Sequence, residues 1–228
     1  MKILGIDTTT RFLCIGLFDG TKIYEYRLEL GTRQSTLLVP TIKRILTALK
    51  WKLDDLDYFA CGVGPGSFTG IRVGLSTIKG FSWITRKPVI GVPSLDLLAY
   101  NAIGFDADIV SIIDAKRSLI YFCTYKNRHG NIKRASDYQL LSKEELLKKI
   151  KPGSILVGDA LGLYKEELAK TAGGLNLLNK DYWYPTGRGI INIALEKIKH
   201  KEVNTCFNIE PIYLYPDACQ VKKAQSVK

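Results

Sequence analysis

Histidine is almost missing from this chain. His129 and His200 are the only two in 228 residues, and they stand far apart in polar surroundings. The five cysteines, Cys14, Cys61, Cys123, Cys206 and Cys219, include no CxxC pair. Protein zinc sites draw their ligands from closely spaced Cys and His, so no metal motif is visible. Cys14, Cys61 and Cys123 sit in apolar, strand-like runs and read as buried, reduced thiols. No apolar run reaches the roughly 20 residues of a membrane span. The apolar stretch that opens the chain, Ile3-Leu4-Gly5-Ile6, is too short for a secretory signal. The expectation is a soluble, cytoplasmic protein with no membrane partner. Carboxylates are scarce too: 22 Asp and Glu face 33 Lys and Arg, a net charge of +11. Such a charge suits a polyanionic partner. The cations are scattered lysines for the most part, and no RNA-module signature accompanies them, so direct nucleic-acid contact is not required.

What is present is a pattern that occurs twice. Residues 2–7 read as a strand ending Ile6-Asp7, and residues 12–18 as a second strand closed by the turn pair Asp19-Gly20. Residues 21–28 alternate apolar and polar as a half-exposed strand does. Leu38, Ile42, Ile45, Leu46 and Leu49 recur at helical spacing, so residues 36–50 read as a helix, capped by Ser35 or Thr36 with Pro40 near its start. A strand over 58–63, a helix over 68–84, a strand over 87–92 and a helix capped by Ser94 follow. The second half opens on a strand over 108–114 that ends Ile113-Asp114. A strand over 119–125, a turn at His129-Gly130-Asn131 and a third strand lead to Ser142. Ser142 and Glu145 have capping-box spacing ahead of a helix over 143–150. A strand over 155–158 and helices over 161–172 and 188–200 complete the half.

Two βββαβα units of about 100 residues indicate a duplicated domain. The order resembles the actin-like, ribonuclease H-like α/β fold, in which two lobes flank a cleft. The lobes are expected over residues 1–104 and 105–228, with the last segment packing back on the first lobe. That fold grips nucleotide phosphates and magnesium with two Asp-bearing hairpins. The first hairpin here, Asp7-Thr8-Thr9-Thr10, has small residues that let backbone N–H groups approach an anion. The second, Asp114-Ala115-Lys116-Arg117, has no glycine and two long cations. Val157-Gly158-Asp159-Ala160, in place of a Gly-Gly loop, carries a carboxylate. The phosphate site reads as degenerate, and ATP binding and hydrolysis by this chain are not expected.

The most distinctive stretch is Gly62-Val63-Gly64-Pro65-Gly66-Ser67-Phe68-Thr69-Gly70-Ile71-Arg72-Val73-Gly74. No Gly-Lys-Ser/Thr closes it as in a P-loop, and Pro65 breaks the dinucleotide frame. Pro65-Gly66 suits a tight turn, with Ser67 or Thr69 as the cap of the next helix. Gly70, Gly74 and Thr77 fall on one helical face. Each glycine costs about 1 kcal/mol of helix propensity, and close packing recovers it. Two readings stay open: packing inside the lobe, or contact with a partner.

This segment, followed by Lys79-Gly80 and Gly91-Val92-Pro93-Ser94-Leu95, resembles the TsaB (YeaZ) family. The opening Ile3–Thr10 run, Ile113-Asp114-Ala115-Lys116 with Tyr121, and Glu210-Pro211-Ile212-Tyr213-Leu214 fit it in order. The resemblance implies a non-catalytic subunit of the machinery that adds threonylcarbamoyl to the adenosine beside the anticodon in tRNAs reading ANN codons. It implies pairing with itself or with a catalytic TsaD-type subunit, and help in recruiting a TsaE-type ATPase. Metal and nucleotide then belong to those partners, and tRNA contact is indirect. The pairing surface would be the helices over 36–50 and 68–84, with Leu38, Ile42, Ile45, Gly70, Ile71, Gly74, Thr77 and Ile78 as its residues. Gln34, Tyr215 and Arg117 depart from the family pattern. The alternative is a small-molecule kinase or ATPase of the same fold.

Overall fold

The structure, a computed structural model, describes residues 1–171 and 175–215; Cys219, the end of the helix expected over 161–172, and the closing segment from residue 216 lie outside the described residues. Strands β1 (Ile3–Asp7), β2 (Phe12–Phe18) and β3 (Ile23–Glu29) lead into helix α1 (Gln34–Ala48). Strand β4 (Tyr58–Gly64), helix α2 (Phe68–Thr85), strand β5 (Val89–Pro93) and helix α3 (Ser94–Asn101) follow. The second half runs β6 (Ile109–Lys116), β7 (Leu119–Arg128), β8 (Asn131–Arg134), β9 (Gln139–Ser142), α4 (Lys143–Lys149), β10 (Ile155–Val157), α5 (Leu161–Thr171), β11 (Asn176–Leu177) and α6 (Gly187–Lys199).

The duplication is visible in the sheets. The first has the order β3-β2-β1-β4-β5, and the second, in the same sense, β8-β7-β6-β10-β11, with β9 added beside β7. In each sheet the first three strands pair antiparallel, and the fourth and fifth add parallel to the first. The parallel additions need crossover helices, which α2 and α5 supply. The chain is therefore a two-lobed α/β protein of duplicated βββαβα units.

Two helices stand across the division. Helix α3 precedes residue 104, yet Leu95, Leu98 and Ala99 share a core with Ile109, Tyr125 and Val157 of the second sheet. Helix α6 lies late in the chain, yet Ile190 and Ala194 share a core with Cys14, Ala60 and Ile90 of the first. Backbone approach sets that second contact: a Cβ placed on Gly16 would lie 2.2 Å from the Gly187 carbonyl oxygen. The Gly187 N–H donates to Glu25 Oε1 at 2.7 Å. The Phe12 and Tyr184 rings meet at 4.7 Å between centroids, inclined at 54°, with the Arg27 guanidinium 4.2 Å above the Phe12 ring.

Three local expectations are corrected. Helix α1 starts at Gln34, after a 3-10 turn over Gly31–Arg33, so neither Ser35 nor Thr36 caps it and Pro40 lies inside it. Thr36 instead bonds the Arg33 carbonyl at 3.0 Å. Ser94 opens α3 without capping it; its hydroxyl is buried and donates to Thr9 Oγ1 at 3.1 Å. The capping box of α4 forms as expected, with Glu145 N–H on Ser142 Oγ and Ser142 N–H on Glu145 Oε2.

The third correction concerns the glycine face of α2. Leu38, Ile42, Ile71 and Ile78 are exposed by 2% or less, and Gly70 and Gly74 are also buried. A Cβ on Gly70 would stand 2.0 Å from the Thr8 carbonyl oxygen, and one on Gly74 2.4 Å from Thr8 Oγ1. The two glycines let α2 lie directly on the turn after β1, so the intralobe reading holds for them. Of the eight residues expected on a partner surface, Ile45 and Thr77 keep partial exposure. We expect Gly70→Ala to cost about 2–3 kcal/mol through overpacking against backbone that cannot retreat, and Gly74→Leu to abolish folding. Thermal melting followed by circular dichroism checks both; near-native melting of Gly74→Leu would overturn the inward placement.

Candidate functional site in the cleft

A cavity of about 1290 Å³ opens between the two sheets' hairpin ends. Thr9, Thr10 and Arg11 line it from the first lobe, Asp114 to Arg117 and Asp159 from the second, and Ser67 to Gly70 from the start of α2.

Asp7 ends β1 where the fold would place a phosphate-site carboxylate, but it does not line the cavity. It is fully buried. Its Oδ1 accepts from the Thr9 N–H and from Thr9 Oγ1, both at 2.9 Å. On its other side a Cβ at Gly62 would fall 1.9 Å from Asp7 Oδ2, so the carboxylate is wedged against β4. Thr8 Oγ1 donates to the Gly70 carbonyl at 2.6 Å, and the Ser67 N–H donates to the Thr9 carbonyl at 2.7 Å. The turn that could have cradled an anion is thus closed by the start of α2. Thr9 and Thr10 reach the cavity; Asp7 and Thr8 do not.

Asp114 does face the cavity, but its charge is answered within the chain. Lys116 Nζ lies 2.5 Å from Asp114 Oδ2, and the Lys116 N–H donates to Asp114 Oδ1 at 2.8 Å. Lys116, Arg117 and Ser118 all have positive φ, at 66°, 52° and 60°. A two-residue hairpin turn demands that conformation at Arg117 and Ser118, and non-glycine residues meet it at a steric cost. Asp159 Oδ1 accepts the Asp114 N–H at 2.9 Å, tying the third expected element to the second. Burial pushes the Asp159 carboxyl above its ordinary range, against the lowering effect of that N–H.

Gln34 and Arg72 escaped the sequence reading, whereas a late segment lying back on the first lobe was among its expectations. Gln34 is buried and donates from Nε2 to the Thr10 carbonyl at 2.7 Å, which anchors α1 to the first hairpin. The segment 209–215 straps the cleft: the Ile212 N–H donates to Val63, and Tyr215 OH donates to the carbonyls of Ala115 and Lys116. Arg72 secures the strap by lying 3.7 Å over the Phe68 ring and donating to Tyr213 OH at 3.1 Å. The aromatic content of Ile212-Tyr213-Leu214-Tyr215 was the available signal. Among the described residues, no three His, Cys, Asp or Glu side chains are grouped to hold a metal ion. Burial first, and then the Asp7 carboxylate, drives the Cys14 and Cys61 thiols far above their ordinary range, so neither is a nucleophile. No described helix is long and apolar enough to cross a membrane.

Desolvation raises the Asp7 carboxyl from 3.8 to about 6, partly offset by its bonds from Thr9. A folded pKa above the unfolded one gives stability that is complete below about pH 4 and lost as pH rises through about 6. The swing is on the order of 3 kcal/mol at about 1.4 kcal/mol per pH unit. Asp7→Asn removes it, so the stability of the variant relative to the parent should improve by about 2 kcal/mol between pH 4.5 and pH 7.5, about a third of the swing having been lost already below pH 4.5. Urea unfolding at the two pH values measures the difference; a difference independent of pH would show that Asp7 does not titrate there.

Against known proteins, a family model described as "TsaD: tRNA N6-adenosine threonylcarbamoyltransferase" matches residues 31–182. A Bacillus subtilis protein named tRNA threonylcarbamoyladenosine biosynthesis protein TsaB is 28% identical, with both chains covered in full. The Escherichia coli protein of the same name is 28% identical over 94% of each chain. Among solved structures, YeaZ from Pseudomonas aeruginosa superposes with a TM-score of 0.81 at 21% identity, covering 93% of this chain and 99% of its own.

Proposed function

The chain belongs to the TsaD threonylcarbamoyltransferase family, in its TsaB (YeaZ) branch, and from that membership we propose that it serves tRNA threonylcarbamoyladenosine synthesis as a non-catalytic subunit. The observation that carries this is the end-to-end match to proteins named for that pathway. The cleft supports the non-catalytic part. Asp7 is enclosed by Thr9, Gly62 and α2, and Asp114 is paired with Lys116, so neither carboxylate is open to hold a metal ion against phosphates. The same two facts disfavour a small-molecule kinase or ATPase. On this reading the chain supports a TsaD-type catalytic subunit and helps recruit a TsaE-type ATPase.

The outward side of α1 and α2 is the proposed pairing surface, used with a TsaD-type subunit or a second copy. It is not the glycine face. On α2 it carries Thr69, Val73, Ser76, Thr77 and Gly80, and on α1 Val39 and Ile45, all exposed or half-exposed. A Cβ on Gly80 would meet nothing within 4 Å. A glycine in an open helix position loses about 1 kcal/mol with no return inside this chain, which a closely packed partner helix could restore through dispersion. Small uncharged residues at that spacing suit a helix-to-helix contact about a two-fold axis.

We expect this chain to co-purify with a TsaD-type subunit when the two are co-expressed. Val39→Glu combined with Ser76→Arg should break that pairing while the melting of the isolated chain stays close to the parent's, since both sites are exposed. Pairing that survives the double variant would overturn the surface. The isolated chain should also show no magnesium-dependent ATP turnover; turnover lost on Asp7→Ala would restore the kinase reading.

A further inference from the structure

The far end of α2 carries an exposed feature that neither the cleft nor the pairing surface uses. Trp83 is 64% exposed, and Ile84 and Phe207 are each 73% exposed. The Trp83 and Phe207 rings meet at 5.2 Å between centroids, inclined at 62°. They border a groove of about 760 Å³ whose lining includes Arg86 and Lys87 and no carboxylate.

The rings sit on backbone that is already ordered. Ser82 Oγ donates to the Lys87 carbonyl at 2.6 Å, closing the end of the helix where Arg86 takes a left-handed conformation at φ 57°. Val89 and Asn204 exchange both backbone bonds, at 2.8 and 2.7 Å, so the segment carrying Phe207 is a short extension of the first sheet. Asn208 Oδ1 accepts the Thr205 N–H at 2.8 Å, and Thr205 Oγ1 accepts the Phe207 N–H at 3.3 Å, which fixes the turn. Large rings left in water on a rigid frame lose little conformational entropy when something covers them.

We propose that Trp83 and Phe207, flanked by Arg86 and Lys87, form a stacking platform for single-stranded RNA. The chemistry of the groove selects this occupant. Aromatic faces stack on bases whatever their sequence, and adjacent cations take the phosphates. A chain of net charge +11 favours a polyanion throughout its field. A second copy would bring the same cations against each other, and a stable interface needs some 20–30 residues a side, far more than this groove offers. An apolar partner helix would leave Arg86 and Lys87 without a counter-charge. The choice of RNA rests on the pathway proposed above, and places direct RNA contact on this subunit.

The test is the fluorescence anisotropy of a labelled 12-nucleotide oligouridylate titrated with the full chain, beside Trp83→Ala, Phe207→Ala and the pair Arg86→Gln with Lys87→Gln. All four side chains are exposed or half-exposed, and circular dichroism confirms that each variant folds. Loss of a base stack should weaken binding about 5- to 150-fold for either aromatic variant. The double Gln variant should flatten the dependence of log affinity on log salt by about 1.4, two single-strand phosphate contacts at roughly 0.7 each. Equal binding by the parent and the aromatic variants overturns the platform. So does absence of binding, whether the groove then proves to hold a second copy, seen as a dimer in sedimentation lost on Trp83→Ala, or an acidic peptide. Co-purification with a TsaD-type subunit, measured in parallel, separates the outcomes: pairing without Trp83-dependent RNA binding defeats the platform alone, and RNA binding without pairing defeats the pathway reading alone.

Discussion

The contact between the turn after β1 and the start of α2 governs most of what this molecule can do. It is close and largely main-chain: the Gly70 carbonyl takes the Thr8 hydroxyl, the Thr9 carbonyl takes the Ser67 N–H, and no Cβ fits at Gly70, where it would stand 2.0 Å from the Thr8 carbonyl oxygen. Such a contact has no slack, because neither side can rotate out of the way as a side chain would. It closes the first hairpin to anions, leaves Asp7 dry, and fixes the direction in which α2 leaves the lobe. The outward stripe of α2 and Trp83 at its far end take their positions from that anchor, while Phe207 is placed by the Val89–Asn204 pairing.

The dry Asp7 explains the character of the cleft. A carboxylate without water is held by Thr9 alone, and its desolvation is large enough to move its titration toward neutrality. The carboxylates that do line the cavity are occupied as well, Asp114 by Lys116 and Asp159 by the Asp114 N–H. Asp7, Asp114 and Asp159 are thus all engaged in bonds within the chain. The strap over 209–215 adds to the closure by tying the second hairpin's carbonyls through Tyr215 to a segment anchored on Val63.

Outside the cleft the frame presents long, rigid helices, and α2 offers two different chemistries along its 18 residues. Its middle carries the small residues Ser76, Thr77 and Gly80 between Arg72 and Lys79, and these small residues suit another helix. Its end is aromatic and cationic, suited to bases and phosphates. The two are compatible in one complex because they lie at different heights on the same helix.

The sequence by itself determined the duplicated order of the main strands and helices, most of their positions to within a residue or two, and the family; the run of β7 to Arg128, the split of the third strand into β8 and β9, and the short β11 came only with the structure. Those features are written in local periodicity and in an ordered set of glycines, which a linear reading captures. It also marked the second hairpin as poor for phosphate, since Lys116 and Arg117 are bulky wherever they point. The tertiary structure alone decided which way the glycines of α2 face. Spacing of four puts Gly70 and Gly74 on one side of a helix, but only the packed lobe shows that Thr8 and not a partner lies against that side. The exchange of α3 and α6 between the sheets was hidden for the same reason: an apolar helix face does not name the sheet it covers. The meeting of Trp83 and Phe207, far apart in the chain, required the short Val89–Asn204 pairing that no local pattern announces.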